Sequence, residues 1–438
     1  VNLRARFPHA LPGVLWLALL APLFFASYGW ANHRAAAQAA VPSIVFDWER
    51  HIPFVPWTIV PYWSIDLFYG LSLLLARTRT ELTRHALRLL TAQALCVAAF
   101  VLWPLRFSSP RPAADGWAGV LFDALAGFDL PYNQAPSLHI VLLLILWDFY
   151  RRQLRGAGAW VLHVWSALIG VSVLTTYQHH AIDIPAGLAV GALCLWLWPL
   201  DGDRPAWRSA ADPARWRLAG VYAAGAAGLA LAGWGLGQWH RSAWLLHWPA
   251  LSLALVALCY AGLGEAGFQK GADGRHSLAV RLLMAPYRLG AWVNARAWTR
   301  RLPPSVRVAV PAAHDVWLGR LPLPWEADHG RFARVLDVTA ELAAGHPGTH
   351  STPWLDLVPP SAAQLRAAAD TVQRLALQGP VLVCCALGFS RSAAVVATWA
   401  CRHGGCASVD QALQVLRNAR PQVVLQPALV RVISEAAA

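Results

Sequence analysis

Eight apolar segments crowd the first 265 residues, near 11–31, 56–76, 86–105, 135–150, 158–177, 183–200, 216–237 and 243–264. Each is long enough, or nearly so, to cross a hydrocarbon core of roughly 30 Å, which takes about 20 apolar residues in a helix. Inside a bilayer every backbone N–H and C=O must find a partner without water, so this part of the chain reads as a bundle of about eight helices. The first segment lacks a clean cleavage site and reads as an anchor rather than a removed signal peptide. The 438 residues are 57% apolar and only 13% charged, with 24 Trp. A soluble globule would not carry that composition.

A net charge of +13 raises nucleic acid as a partner, but the placement of the arginines argues against it. With the N-terminus cytoplasmic, the inner loops hold Arg4, Arg6, Arg77, Arg79, Arg84, Arg88, Arg151, Arg152, Arg155, Arg204, Arg208, Arg215 and Arg217. The outer loops hold only Arg34, Arg50, Arg106, Arg111 and Arg241. That bias sets an orientation and accounts for most of the charge. An even number of spans returns the C-terminal part to the cytosol, where Cys384, Cys385, Cys401 and Cys406 stay reduced. Arg and Ala richness with a single lysine, Lys270, points to a high-GC bacterial genome, hence to a multi-pass protein of a bacterial inner membrane.

Three polar clusters interrupt the apolar spans, all on the outer, periplasmic side. They are Arg106-Phe107-Ser108-Ser109-Pro110-Arg111-Pro112, Asn133-Gln134-Ala135-Pro136-Ser137-Leu138-His139, and Gln178-His179-His180-Ala181-Ile182-Asp183. Polar groups at span ends cost free energy unless they are paired or functional. His179 and Asp183 stand four apart, so on a helical turn the carboxylate can orient one ring nitrogen and leave the other to attack phosphorus. His139 would then protonate the leaving alkoxide, and Arg106 and Arg111 would hold phosphoryl oxygens. His180 is also within reach of Asp183, so the nucleophile is either histidine, with His179 preferred. The other reading of the clusters is a structural polar network.

These clusters resemble the type-2 phosphatidic acid phosphatase superfamily over roughly residues 50–200, and within it the branch containing inositol phosphorylceramide synthases. Its P-S-x-H motif matches Pro136 to His139, its H-x3-D motif His179 to Asp183, and the R-P of its first motif Arg111-Pro112. There are departures. The family's lysine seven residues before that arginine is Pro104 here, and its Ser-Arg ahead of the histidine falls on Ser172-Val173. The resemblance therefore implies a variant lipid phosphate substrate, or transfer of a head group, rather than ordinary phosphatidate hydrolysis.

Near the other end, an apolar run enters a cysteine loop: Val381-Leu382-Val383-Cys384-Cys385-Ala386-Leu387-Gly388-Phe389-Ser390-Arg391-Ser392. Cys385 and Arg391 form C-x5-R, followed by a helix-forming run. Backbone N–H groups at a helix N-terminus bind a phosphate dianion and lower a thiol pKa, which suits a nucleophilic thiolate. Together with Asp356 upstream, the region from roughly Arg307 onward resembles the dual-specificity branch of the cysteine phosphatases. That resemblance implies that Cys385 attacks phosphorus while Arg391 and the N–H groups of Ala386, Leu387, Gly388, Phe389, Ser390 and Arg391 bind the equatorial oxygens. It implies Asp356 as the general acid and Ser392 as the group that stabilises the departing thiolate. The family's histidine before the nucleophile is Cys384 here. Asp337 reads as structural.

The expected architecture is an all-helical membrane bundle followed by an α/β cysteine-phosphatase domain with a central sheet. Its parts are a membrane lipid phosphatase or phosphotransferase domain at 1–200, two further spans at 201–264, a basic amphipathic linker at 265–304, and a dual-specificity phosphatase domain at 305–438. The linker carries Arg281, Arg288, Arg296, Arg300 and Arg301, and lies on an anionic leaflet or is an ordinary solvated helix. Strands are expected at 307–310, 315–319, 334–338, 353–358 and 381–384, and helices at 361–378, 391–403 and 408–418. No metal, cofactor or nucleic acid is expected. The partners are the membrane and phosphorylated lipids, such as phosphatidylglycerophosphate or a phosphoinositide. The alternatives are a membrane-held phosphatase of phosphoproteins, a pseudo-enzyme that senses lipid phosphate, and a transporter.

Overall fold

The structure, a computed structural model, describes residues 9–312, 314–323, 326 and 330–438; Arg4 and Arg6 lie outside the described residues. It divides into two compact units, Val1–Arg204 with Ala232–Leu246, and Pro205–Leu231 with His247–Ala438.

The first unit is helical: α1 (Ala10–Ala36), α2 (Ile59–Leu74), α3 (Arg79–Leu102), α4 (Gly116–Ala126), α5 (Leu138–Tyr150), α6 (Ala157–Thr175) and α7 (Asp183–Leu197). Helix falls on each of the apolar segments read from the sequence. Among the described residues, five helices are long and apolar enough to cross a membrane: α1, α3, α6, Pro213–Gly237 and Arg241–Phe268. Three more apolar helices, α4, α5 and α7, are shorter. Helix α4 falls in a stretch expected as an outer loop. It contributes Ala118, Phe122 and Leu125 to a buried cluster with Ile59, Tyr62, Ile140 and Val173.

Connections within this unit gather at two ends. At one, Arg88 pairs with Asp148 at 2.9 Å, Arg84 donates to the Pro199 carbonyl at 2.8 Å, and Arg152 meets Asp201. At the other, the Val55 N–H donates to Thr175 O, Phe107 N–H to Pro131 O, and Arg106 N–H to Pro42 O. Where α7 passes α5, a Cβ on Gly187 would lie 2.7 Å from the Ser137 carbonyl oxygen, so glycine permits the close approach beside His139.

The second unit opens with α8 (Pro213–Gly237, to residue 231) and α9 (His247–Leu258), which runs on through a π turn, Cys259–Leu263. Then come the short α10 (Leu278–Leu283) and α11 (Ala285–Thr299). A five-stranded mixed sheet follows, of β1 (Ser305–Arg307), β2 (Val316–Arg320), β3 (Arg334–Thr339), β4 (Thr349–Trp354) and β5 (Val381–Cys385). Its order is β1-β2-β5-β3-β4, with only the β1–β2 pair antiparallel. The first and fourth strands depart from expectation. β4 ends at Trp354, so Asp356 belongs to a loop, where Leu357 takes the left-handed φ of 59° and Pro359-Pro360 supply no ladder donor.

Helices α12 (Ala362–Ala376), α13 (Arg391–Arg402) and α14 (Val409–Ala419) lie where the sequence places them, and α15 (Pro427–Ala437) was not foreseen. Ser361 caps α12 through the Gln364 N–H, in a capping box, and Ser408 caps α14. Helix α12 buries Leu365, Ala368, Ala369, Val372 and Leu375, the stripe of a helix with one wet face. Helix α13 is buried from Arg391 to Ala400. It is the centre of the core, and it begins at the cysteine loop.

Candidate active sites

Cys385 is the last residue of β5, between β2 and β3. Ligands of parallel sheets bind beyond the carboxyl ends of strands, where a loop leads into a helix. Here the loop folds back on the sulfur: Gly388 N–H and Ser392 Oγ each donate to Cys385 Sγ at 3.2 Å. Gly388 has φ +76°, and a Cβ there would sit 2.5 Å from the Gly319 carbonyl carbon. Arg420 donates to the Leu387 carbonyl at 3.2 Å and Val424 N–H to the Phe389 carbonyl at 3.0 Å, which pins the loop from outside.

Arg391 is buried and reaches the expected acid: Nη2 lies 3.0 Å from Asp356 Oδ1. Its main partner, however, is Glu341, which no motif flagged. The two make a bidentate pair at 2.9 and 2.6 Å, and Nη1 also donates to the Trp354 carbonyl. Burial works against both charges, but each outweighs it for the other. Glu341 is held below the ordinary carboxylate pKa and Arg391 above its own ordinary value. The available signal was physical: an arginine inside a core needs a carboxylate. Asp356 itself is half-exposed, and its backbone carbonyl accepts a hydrogen bond from Tyr260 Oη at 3.1 Å.

Cys384 points the other way, into a cluster with Leu321, Phe332 and Leu342. Burial, then Asp337, push its thiol pKa up. Both cysteines are free. Asp337 accepts from Thr339 N–H and Oγ1 and from Ala344 N–H, and pairs with Lys270 at 2.7 Å, as a structural residue would.

In the first unit, His139 and His179 line one small cavity of about 60 Å³. His179 Nδ1 lies 3.2 Å from Asp183 Oδ2. His180 is engaged elsewhere: its Nδ1 meets Glu49 Oε2 at 2.8 Å, and its Nε2 accepts from the Ser108 N–H at 3.2 Å. Of the two histidines, His179 is therefore the one turned to the cavity. His139 donates through Nε2 to the Tyr62 carbonyl at 2.8 Å and stacks on the Tyr62 ring. Asp129, absent from the sequence-level site, also lines this cavity, held by Tyr28 Oη at 2.9 Å and Asn32 Nδ2 at 3.2 Å. Arg106 is exposed and Arg111 lies over the Phe122 ring; neither lines the cavity. The structure brings the histidines together and leaves Arg106 apart from them, while Arg111 lies within electrostatic reach of Tyr62 and Asp129 in the cavity wall.

No protein-family model matches the chain, and no curated protein does. Solved structures of phosphatases match part of it. The active form of Tk-PTP is 24% identical, covers 31% of this chain and 97% of its own, and gives a TM-score of 0.28. Human DUSP28 is 26% identical over 31% of this chain and 95% of its own, with a TM-score of 0.27. PTPMT1 in complex with PI(5)P is 18% identical, again over 31% of this chain and 95% of its own, with a TM-score of 0.27.

Proposed function

We propose that the chain is a membrane-held, cysteine-dependent phosphomonoesterase acting on a phospholipid phosphate, such as phosphatidylglycerophosphate or a phosphoinositide. One observation carries the reading: Cys385 Sγ, accepting from Gly388 N–H and Ser392 Oγ, sits at the head of α13 beside Arg391 and Asp356. The Cys385 thiolate attacks phosphorus, the P–O bond to the alcohol breaks, and Asp356 gives its proton to the leaving oxygen. Arg391, oriented by Glu341, holds equatorial oxygens together with the loop N–H groups. Water then gives a proton to Asp356 and attacks phosphorus. The P–S bond breaks, inorganic phosphate leaves, and Ser392 donates to the thiolate.

A second site is favoured by a separate observation, the convergence of His139 and His179 on one cavity with Asp183 behind His179. In this reading His179 attacks phosphorus of a lipid phosphate or diphosphate, the P–O bond to the leaving group breaks, and His139, whose Nε2–H is held by the Tyr62 carbonyl, gives a proton from Nδ1 to the leaving oxygen. Water or another lipid's hydroxyl then returns a proton to His139 and attacks phosphorus, and the P–N bond breaks to free His179. The arginine distribution supports a bacterial inner-membrane location with this site periplasmic and the cysteine site cytosolic.

One assay set tests both. Cys385→Ser in the full chain should abolish hydrolysis of an aryl phosphate, and Asp356→Ala should slow it by about 10²–10⁴ and trap phosphocysteine. Thiol alkylation should spare a lipid phosphatase activity that His179→Ala removes. Turnover that survives Cys385→Ser and disappears in His179→Ala would leave the histidine site as the enzyme.

A further inference from the structure

We propose that the cavity above Cys385 is a lipid-chain slot, in which Tyr222 of α8, Leu253 of α9 and Tyr287 and Gly290 of α11 receive the alkyl chain of the phosphomonoester whose phosphate rests on the cysteine loop. The proposal rests on the cysteine reading above and narrows it: the alkyl chain enters close to the leaving oxygen, not behind a glycerol or inositol head group. All of these residues line a single cavity of about 610 Å³ with Cys385, Arg391 and Asp356. That volume is in the range, about 300–1,000 Å³, that encloses a whole small molecule. A phosphoryl group alone would leave most of it empty.

The chemistry of the walls is divided. Charged and reactive groups gather at the loop, whereas the far wall is mostly apolar, built of Pro249, Leu253, Pro286, Ala291 and two tyrosine rings, with Asn294 among them. A phosphopeptide would bring backbone amides and neighbouring charges, for which that wall has few partners. An alkyl chain needs only apolar area.

The origin of the wall points the same way. Helix α8 and the helical run containing α9 are two of the helices long and apolar enough to cross a membrane. A chain lying between Tyr222 and Leu253 would therefore contact segments that themselves sit in lipid. At the mouth, Leu357 is 66% exposed and Val424 63% exposed, each beside the reacting groups. Helix α11 also shows Leu289, Trp292 and Val293 outward, a surface suited to an interface. The wall is firmly tied to the loop that carries the acid. Tyr260, just after α9, donates to the Asp356 carbonyl and stacks on Tyr222, while the Tyr287 N–H donates to Ser252 Oγ.

The test uses the full chain in mixed micelles and a series of monoalkyl phosphates, from ethyl to dodecyl, at fixed mole fraction. The readout is the ratio of kcat/KM for dodecyl phosphate to that for ethyl phosphate. Each methylene that enters the slot raises kcat/KM by up to about fourfold, so a ratio above about a hundred is expected. A Cβ on Gly290 meets nothing within 4 Å, so Gly290→Trp should occupy the slot and lower the ratio at least tenfold. Partition into the micelle is common to both proteins and cancels. Leu253→Ala, which thins the wall, should lower the ratio more modestly and decides the matter if the tryptophan variant is inactive. An unchanged ratio in the active variants, or a phosphotyrosine peptide preferred over dodecyl phosphate, overturns the slot and leaves the cysteine chemistry standing. Turnover of every alkyl phosphate that persists in Cys385→Ser overturns the cysteine reading and the slot with it.

Discussion

Side chains alternate along a strand, so adjacent residues of β5 enter different surroundings. Cys385 meets Ser392 on the side that carries α13, and Cys384 joins Leu321 and Phe332 on the other. The two thiols are thus separated by the pleat, and the loop turns back over Cys385 alone. Gly388 is the residue on which that turn depends. An alanine there would need a left-handed backbone and would overlap the Gly319 carbonyl, at 2.5 and 2.6 Å from its carbon and oxygen. Gly388→Ala should therefore cost aryl phosphatase activity at least about 10²-fold, since displacing an oxyanion donor alone costs that much. The chain should otherwise stay folded, with the protease resistance of the first unit unchanged. Activity within threefold of wild type would show that the loop does not need this geometry.

At the scale of elements, the stretch from 265 to 304 behaves as part of the second unit, not as a free tether. Lys270 is buried and donates to Asp337 Oδ2 and to the Thr339 carbonyl at 2.7 and 2.6 Å. Arg288 donates to the Glu341 carbonyl, and Arg296 to the Leu321 carbonyl. The two arginine bonds seat α11 on the sheet's loops beside Glu341, the partner of Arg391. Removing one member of a buried pair leaves the other uncompensated, at a cost of about 3–5 kcal/mol. Lys270→Met should accordingly shorten the half-life of aryl phosphatase activity on heating, and adding Asp337→Asn should recover part of the loss. Equal heat resistance in wild type and Lys270→Met would place this contact outside the folded core.

For the whole molecule, acid should loosen the second unit before it affects the chemistry alone. His276 is buried, and its Nε2 donates to the Ala340 carbonyl at 2.8 Å. Burial, and then Arg288, push its pKa down to about 3. Unfolded, it takes up a proton below about 6.5. The unfolded chain thus binds more protons between these values, so the stabilisation is whole above pH 6.5 and is lost progressively as pH falls toward 3. Glu341, held low by Arg391, adds to the loss below its ordinary value of 4.5. His276→Gln keeps a donor for Ala340 without a titrating ring. It should flatten the pH dependence of heat inactivation between pH 6.5 and 4, and an unaltered slope would assign that dependence to other groups.

Local rules wrote much of this protein into its sequence. Unbroken apolar runs placed the helices, because a helix satisfies its own backbone wherever it lies. An apolar strand, a glycine-bearing loop and a helix start placed Cys385, Gly388, Arg391 and Ser392 together, because all lie within eight residues. The pairing of His179 with Asp183 followed from a single turn. What only the tertiary structure decided joins distant parts of the chain. Glu341 reaches Arg391 across 50 residues, and Tyr260 reaches the Asp356 carbonyl across 96. His180 is drawn away from the cavity by Glu49, 131 residues earlier, and Asp129 enters it through Tyr28 and Asn32. No local periodicity encodes such contacts. They arise when buried charges and hydroxyls must find partners as helices and sheet close on one another.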